Sequence, residues 1–359
     1  MSDDLLSSVR RDIVELAAYR VADAEGMVKL DAMENPYALS QALRASLADR
    51  LSGQSLNRYP SPVASELKMR LAHSMGMSGD MPMVLGNGSD ELIQMLIMAC
   101  AAQDAVILGV QPSFVMFGLI AQLVRVPYVG VALKDDFSLD REAMLAAVDR
   151  HRPALTFLAY PNNPTGNLFD ADAVEAIITR AAPGLVVVDE AYYPFTAYSF
   201  KDRLAYHPNL ILMRTLSKLG LAGLRLGWLC GHAALLAQID KVRLPYNVSI
   251  LDQVAASWAL DHRAQLDDQV ACLVRDRAHL ATKMKSLAGL TVFPSEANFL
   301  LFRLPQAGQV FEGLRRHGIL IKNLSGSHSL LQDCLRVTVG TPEENRQFLD
   351  ALEQVISLS

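Results

Sequence analysis

The chain has 359 residues, 51% of them hydrophobic and 20% charged, enough for two domains or for one large domain with a smaller one attached. Its net charge of -5, a pI near 5.9 and the lack of any long Lys or Arg run argue against nucleic acid or an anionic membrane as partner and leave a small molecule as the expected one. The four scattered cysteines, Cys100, Cys230, Cys272 and Cys334, form no CxxC pair, so no disulfide framework or thiolate metal site is expected and a reducing cytoplasm fits.

The opening MSDDLLSSVRRDIVELAAYR is amphipathic, but it has acids at its front and no apolar core or small-residue cleavage site, so it does not read as a signal peptide. No segment approaches the length of a membrane span. VLGNGSDELIQ puts Gly86, Gly88 and Ser89 at a turn into a predicted helix over 89–102, whose free amides would favour an anion. Asp90 and Glu91 suit the helix dipole but would repel a phosphate, so they are expected to point away. AVILGV (105–110), ALTFLAY (154–160), LVVVD (185–189) and LILMR (210–214) read as strands buried on both faces, as in parallel sheets. Helical patterns over 114–124 and 170–182 fall between them, which is the α/β signature. After about Pro245 the pattern changes to longer helical stretches around 250–287 and then to a mixed tail. The expected organisation is an N-terminal arm (1–40) contributing to the small domain and the active site, a large domain (41–245), and a small C-terminal α+β domain (246–359).

Open α/β sheets bind ligands beyond the carboxyl ends of their strands, so the residues following each predicted strand bear inspection. ALTFLAY is followed by PNNPTGN, which presents Asn162 and Asn163 on a turn. LVVV is followed by DEAYYPF, with Asp189 at the strand end and Tyr192 three residues on; LILMR is followed by TLSKLGLAGLRLG, with Lys218 and Arg225 in apolar, glycine-rich surroundings. Each has a plainer explanation alone: a tight turn, a helix N-cap, a lysine stem lying on apolar surface with its head in water. Together at consecutive strand ends they supply what a pyridoxal phosphate site needs: a desolvated amine to condense with the aldehyde, a carboxylate to keep the ring nitrogen protonated, polar partners for the ring oxygen, and hydroxyls, amides and a guanidinium for the phosphate.

PNNPTG, VVVDEAY and TLSKLGLAGLRLG resemble, in order, the motifs of the fold-type-I aminotransferases. Among these, AMENPYALS (32–40), NRYPSP (57–62), LGNGSDE, QPSF and CLRVTVGTPEEN make the chain similar to the histidinol-phosphate aminotransferases over nearly its whole length. The resemblance implies a mostly parallel mixed sheet sandwiched by helices, with a smaller α+β domain. It implies that Lys218 binds the cofactor and shuttles the substrate proton, that Asp189 pairs with the pyridinium, and that Tyr192 and Asn163 bond the ring oxygen. Phe114 would stack on the ring where many relatives have Tyr. Gly88, the backbone amides of Ser89 and Asp90, and Thr215, Ser217 and Arg225 would surround the phosphate, with Tyr59 reaching it from the neighbouring subunit of a homodimer. Arg336 and Lys322 would receive the anion of histidinol phosphate or 2-oxoglutarate, near Asn35 and Tyr37; relatives often have a second arginine in place of Lys322. Two further departures are LDAMENPY, where LNANENPY is usual, and the seven-residue step from Lys218 to Arg225, where many relatives have eight. The reaction implied is transamination of L-histidinol phosphate with 2-oxoglutarate in histidine biosynthesis. An aromatic or broad amino-acid aminotransferase, or a threonine-phosphate decarboxylase, would use the same scaffold. A regulator without turnover is disfavoured, because no basic helix-turn-helix pattern precedes the enzyme-like region.

Overall fold

The computed structural model describes residues 5–18 and 22–357; positions 1–4 and 19–21 of the opening stretch, and with them part of the expected arm, lie outside the described residues. The strands in chain order are β1 (Val28–Lys29), β2 (Met83–Asn87), β3 (Ile107–Gln111), β4 (Tyr128–Ala132), β5 (Leu155–Ala159), β6 (Leu185–Asp189), β7 (Leu210–Thr215), β8 (Leu226–Gly231), β9 (Thr291–Val292), β10 (Phe299–Arg303), β11 (Ile319–Leu320), β12 (Lys322–Asn323) and β13 (Cys334–Thr338).

The apolar runs of the middle of the chain become a seven-stranded sheet in the order β2-β8-β7-β6-β5-β3-β4. Burial on both faces explains their composition. In β6, Val186 and Val188 pack on one side in a cluster with Met144, Val148, Val174 and Ile177 of helices Arg141–His151 and Ala171–Ala181. Val187 packs on the other with Leu92, Ile93, Phe117 and Ile120 of helices Gly88–Cys100 and Val115–Val124. With no solvated face, no alternation of polar and apolar residues survives. Helix Ala171–Ala181 begins where the Asp170 carboxylate accepts the Ala173 N–H at 2.8 Å, a cap that contributes about 1 kcal/mol.

The sheet is mixed because β8 runs antiparallel to both β2 and β7, while β3 to β7 are mutually parallel. The strands β2, β4 and β8 are additions to those read from the sequence. In β8 the run LGWLCG is broken by two glycines and follows a glycine-rich loop, so its composition resembles a continuation of that loop. The chain order also reverses at β3: β4 lies on one side of it and β5 on the other, creating a crevice at the carboxyl ends.

A second, four-stranded antiparallel sheet has the order β12-β13-β10-β9, and β1 pairs with β11 in parallel. Leu30 then accepts the Thr338 N–H at 2.8 Å, so the chain after β1 is laid along β13 and directed toward the crevice. No helix among the described residues is long and apolar enough to cross a membrane, and all four cysteines are free thiols.

Candidate active site

The carboxyl ends of β2, β5, β6 and β7 open into a cavity of about 230 Å³ lined by Ser89, Asp90, Asn163, Asp189, Tyr192, Thr215, Ser217, Lys218 and Arg225, with Phe114 on its wall. Lys218 follows β7 on the 3-10 turn Ser217–Leu219, and its amine donates to the Ala32 carbonyl at a long 3.4 Å. Its Nζ also lies 5.7 Å from the Tyr192 ring centroid. Burial, reinforced by the positive charges of Arg336 and Arg225, pushes the amine down to about 8. Near neutral pH a larger share of this amine is then unprotonated than of an ordinary lysine.

The adjacent acids of DEAYY separate by function because successive residues leave a strand on opposite sides. Glu190 turns into the protein and takes Arg214 Nε at 2.9 Å and Nη2 at 2.7 Å. Asp189 faces the cavity, 4% exposed, and accepts the Ala191 N–H at 3.0 Å. Burial pushes it up to about 7, with Asp90 and Glu190 adding to the rise and Lys218 opposing it. Tyr192 is buried edge-on against Phe299, at 5.2 Å between centroids, and burial raises its phenol.

The two asparagines of PNNPTG also divide. Asn162 is wholly buried and ties turns together, donating to the Pro112 carbonyl at 3.1 Å and to Thr165 Oγ1 at 2.7 Å while accepting from Ser113 Oγ at 2.8 Å. Asn163 faces the cavity and accepts from Arg336.

At the opposite end, Gly88 starts a helix with φ +79°, and a Cβ there would stand 2.7 Å from Arg225 Nη2. A side chain there would displace the guanidinium, and the left-handed backbone itself favours glycine. Arg225 itself has left-handed backbone (φ +47°), and with β8 beginning at Leu226 the seven-residue step still delivers its side chain to the start of this helix, 3.6 Å from Asp90 Oδ2. Thr215 and Ser217 hydroxyls meet at 2.8 Å beside it. The expectation that Asp90 and Glu91 both point away holds for Glu91, which takes the Asn87 N–H at 2.6 Å and Asn247 Nδ2 at 2.7 Å. Asp90 instead lines the cavity, because the neighbouring arginine neutralises it, and its Oδ1 is buried without a hydrogen-bond partner among the described residues.

A larger cavity of about 630 Å³ adjoins the first, sharing Met33, Phe114 and Asn163 with it. Arg336 and Lys322 both line it, and they are register partners across β13 and β12. Directly opposed residues project on the same face, so the two cations converge. Arg336 is 7% exposed and donates to the Asp31 carbonyl at 3.0 Å as well as to Asn163. His328, which the sequence pattern did not single out, also lines this cavity; its Nδ1 accepts the Leu330 N–H at 3.1 Å, so Nε2 is the remaining ring nitrogen for another partner.

Besides Gly88, three anticipated residues line neither cavity. Asn35 donates to Gln269 Oε1 at 3.1 Å and packs on Gly220, whose φ of +110° and lack of Cβ let the arm close over the lysine loop. Tyr37 points to Asp276 at 3.5 Å. Tyr59 is 79% exposed and stacks on Tyr246 at 4.4 Å.

The donor set at the first cavity suits a ligand with an anionic group at one end, met by hydroxyls, helix amides and a guanidinium, and a cationic ring nitrogen at the other, met by a buried carboxylate. The model of the family described as "Aminotransferase class I and II" matches residues 25–352. The chain belongs to the class I and II aminotransferases. This aminotransferase is 52% identical over 351 residues to a histidinol-phosphate aminotransferase of Methylibium petroleiphilum, covering 97% of this chain and 95% of the relative. It is 53% identical over 348 residues to histidinol-phosphate aminotransferase 2 of Cupriavidus pinatubonensis, covering 96% and 95%. Its fold matches the crystal structure of histidinol-phosphate aminotransferase from Sinorhizobium meliloti in complex with pyridoxal-5'-phosphate, with a TM-score of 0.88 and 25% identity over 98% of this chain and 99% of that one.

Proposed function

We propose that this aminotransferase moves the amino group of L-histidinol phosphate to 2-oxoglutarate, giving imidazole acetol phosphate and glutamate, with pyridoxal phosphate as cofactor. The observation that carries this reading is the layout of two joined cavities. One holds a lysine amine lowered to about 8, and the other holds Arg336 opposed to Lys322, so the pair spans an amine at one end and an anion at the other. Asp189 would hold the ring nitrogen, Tyr192 and Asn163 the ring oxygen, and Phe114 the ring face. The backbone amides of Ser89 and Asp90 at the bare start of the helix after Gly88, with the Thr215 and Ser217 hydroxyls and the Arg225 guanidinium, would hold the phosphate. When bound, the cofactor takes up the amino group and makes the neighbouring C–H acidic.

The chain's own residues do the rest. Lys218 Nζ takes the proton from the substrate carbon and delivers it to the cofactor side, a task suited to an amine lowered toward neutral pH. Asp189 keeps its negative charge there because a cationic partner offsets the cost of burial. Arg336 fixes the substrate anion through a planar fork, and Lys322 adds a second positive charge. Asn35 and Tyr37 act through the arm, by holding it over the lysine loop and near the substrate. The exposed Tyr59, with Leu56, Val63 and Leu244 also exposed, supports a homodimer in which Tyr59 reaches the partner's phosphate site. We place the chain's division at an arm to residue 40, a large domain to 245 and a small one beyond. Turnover with histidinol phosphate, phenylalanine and threonine phosphate tests the assignment; it predicts a strong preference for the first, and inactivity with that substrate refutes it.

A further inference from the structure

Resting on pyridoxal phosphate as the cofactor, we infer that Asp90 is a positioning residue whose carboxylate holds the Arg225 guanidinium at the start of the helix Gly88–Cys100, in place for the cofactor's phosphate. Among the described residues the guanidinium makes no hydrogen bond, and its charged partner is Asp90, with Oδ2 lying 3.6 Å from Nη2. Both side chains are about half exposed. An arginine head on so long and mobile a stem, if nothing held it, would have to be ordered at the moment the phosphate binds, at a cost in affinity.

The backbones that carry the two groups are locked together. A Cβ at Gly227, two residues past Arg225 on β8, would stand 3.0 Å from the Gly88 carbonyl carbon and 3.1 Å from the Ser89 nitrogen, so β8 lies directly on the first turn of the helix. Gly88 in turn leaves the guanidinium its place, since a Cβ there would meet Nη2 at 2.7 Å. Asp90 is the third residue of this helix, where a carboxylate suits the dipole even when it points to solvent. Here it turns inward: it lines the cofactor cavity, its Oδ1 is buried without a hydrogen-bond partner among the described residues, and its charge adds to the rise of Asp189. A buried carboxylate oxygen without a donor is costly, so the helix dipole alone does not account for the inward turn. The contact with Arg225 does. The guanidinium offsets the charge of Asp90, and with five N–H donors in its planar head it keeps others for the phosphate.

The test titrates cofactor-stripped protein with pyridoxal 5'-phosphate and, separately, with pyridoxal, which keeps the aldehyde and ring but lacks the phosphate, following the absorbance of the ligand. Asp90→Asn keeps the shape and removes the charge, and thermal melts of the stripped proteins will verify that it folds. It is expected to weaken pyridoxal phosphate about fivefold, the ordering cost of one long side chain, and to change pyridoxal less than about 1.5-fold. In an Arg225→Met background the weakening is expected to disappear or turn into tightening, since a carboxylate without its guanidinium only repels a phosphate. Four results overturn the assignment of Asp90: tighter binding of pyridoxal phosphate by Asp90→Asn itself, no change, equal weakening of both ligands, which would place its effect at the ring end through Asp189, or weakening that persists without Arg225. Failure of the unaltered stripped protein to bind pyridoxal phosphate refutes the cofactor instead, and is seen before any variant is made.

Discussion

The two sheets contribute to the site in different ways. The seven-stranded sheet supplies one chemical group per strand end: Asn163 after β5, Asp189 at β6, and Thr215 to Lys218 at and after β7, each set by a buried strand that cannot shift without moving its neighbours. The four-stranded sheet supplies its pair of cations by cross-strand register, Lys322 opposite Arg336, so a slip of one residue in a strand only two residues long would send Lys322 to the other face. The first arrangement is rigid and suited to a fixed cofactor. The second can be retuned residue by residue, and it faces the part of the ligand that would change between substrates.

The sharpest way to break this comparison is at the first sheet. Lys218→Ala removes the residue proposed as both covalent handle and proton carrier, and turnover is expected to fall by ~10,000-fold or more, with the yellow absorbance of the holoenzyme altered. Near-normal turnover would refute the assignment of the cofactor cavity. Next in size, Asp189→Asn should lower kcat by about 100- to 1,000-fold through loss of a preorganised charge. It has a second signature in protein stripped of cofactor. Asp189 is pushed up to about 7 when folded, so between ~4 and about 7 the folded chain binds its proton more tightly than the unfolded one. Its contribution to stability is complete below ~4 and lost as pH rises through about 7. Denaturant midpoints of the stripped protein should fall over that window relative to those of Asp189→Asn; identical pH slopes would show that another group is titrating.

The same contrast explains what could be read from the chain. Asp189, Asn163 and Lys218 end or follow continuous apolar runs, and burial on both faces writes those runs into composition, so both the strands and the polar residues that the structure gathers at their ends were legible. The strand β8 was not, since Gly227 interrupts its six residues and Gly231 ends them, yet it is what brings Arg225 up to Gly88 despite the short loop. Nor could local pattern separate Asn162 from Asn163 or show Asp90 turning inward, because those outcomes depend on partners 50 or 135 residues away, Pro112 and Arg225. The second sheet was still less legible. Nothing near Lys322 in sequence signals that it opposes Arg336, and Met33 and His328 enter the cavity through chain crossings that leave no periodicity.

Smaller changes probe the second sheet. Arg336→Met deletes a buried, hydrogen-bonded charge, and KM for histidinol phosphate is expected to rise roughly 30-fold or more, with a smaller change in kcat because the proton carrier is untouched. The smallest effect, and the most discriminating for the idea of a retunable register, is that of Lys322→Arg. Like charges directly opposed across strands disfavour one another by ~0.2–1 kcal/mol, and that cost is the same in kind for Lys and Arg, so the exchange isolates the geometry of the donor. A lysine offers a point charge, whereas an arginine offers a planar fork that can grip two phosphate oxygens at once. Lys322 is only partly buried and carries no hydrogen-bonded partner that an arginine would disrupt among its described side-chain contacts, so the larger head can be accommodated toward the cavity. Binding of histidinol phosphate should therefore tighten about two- to fivefold, read as a lower KM at nearly constant kcat. An unchanged KM would mean that Lys322 supplies only long-range attraction, and that Arg336 alone meets the phosphate.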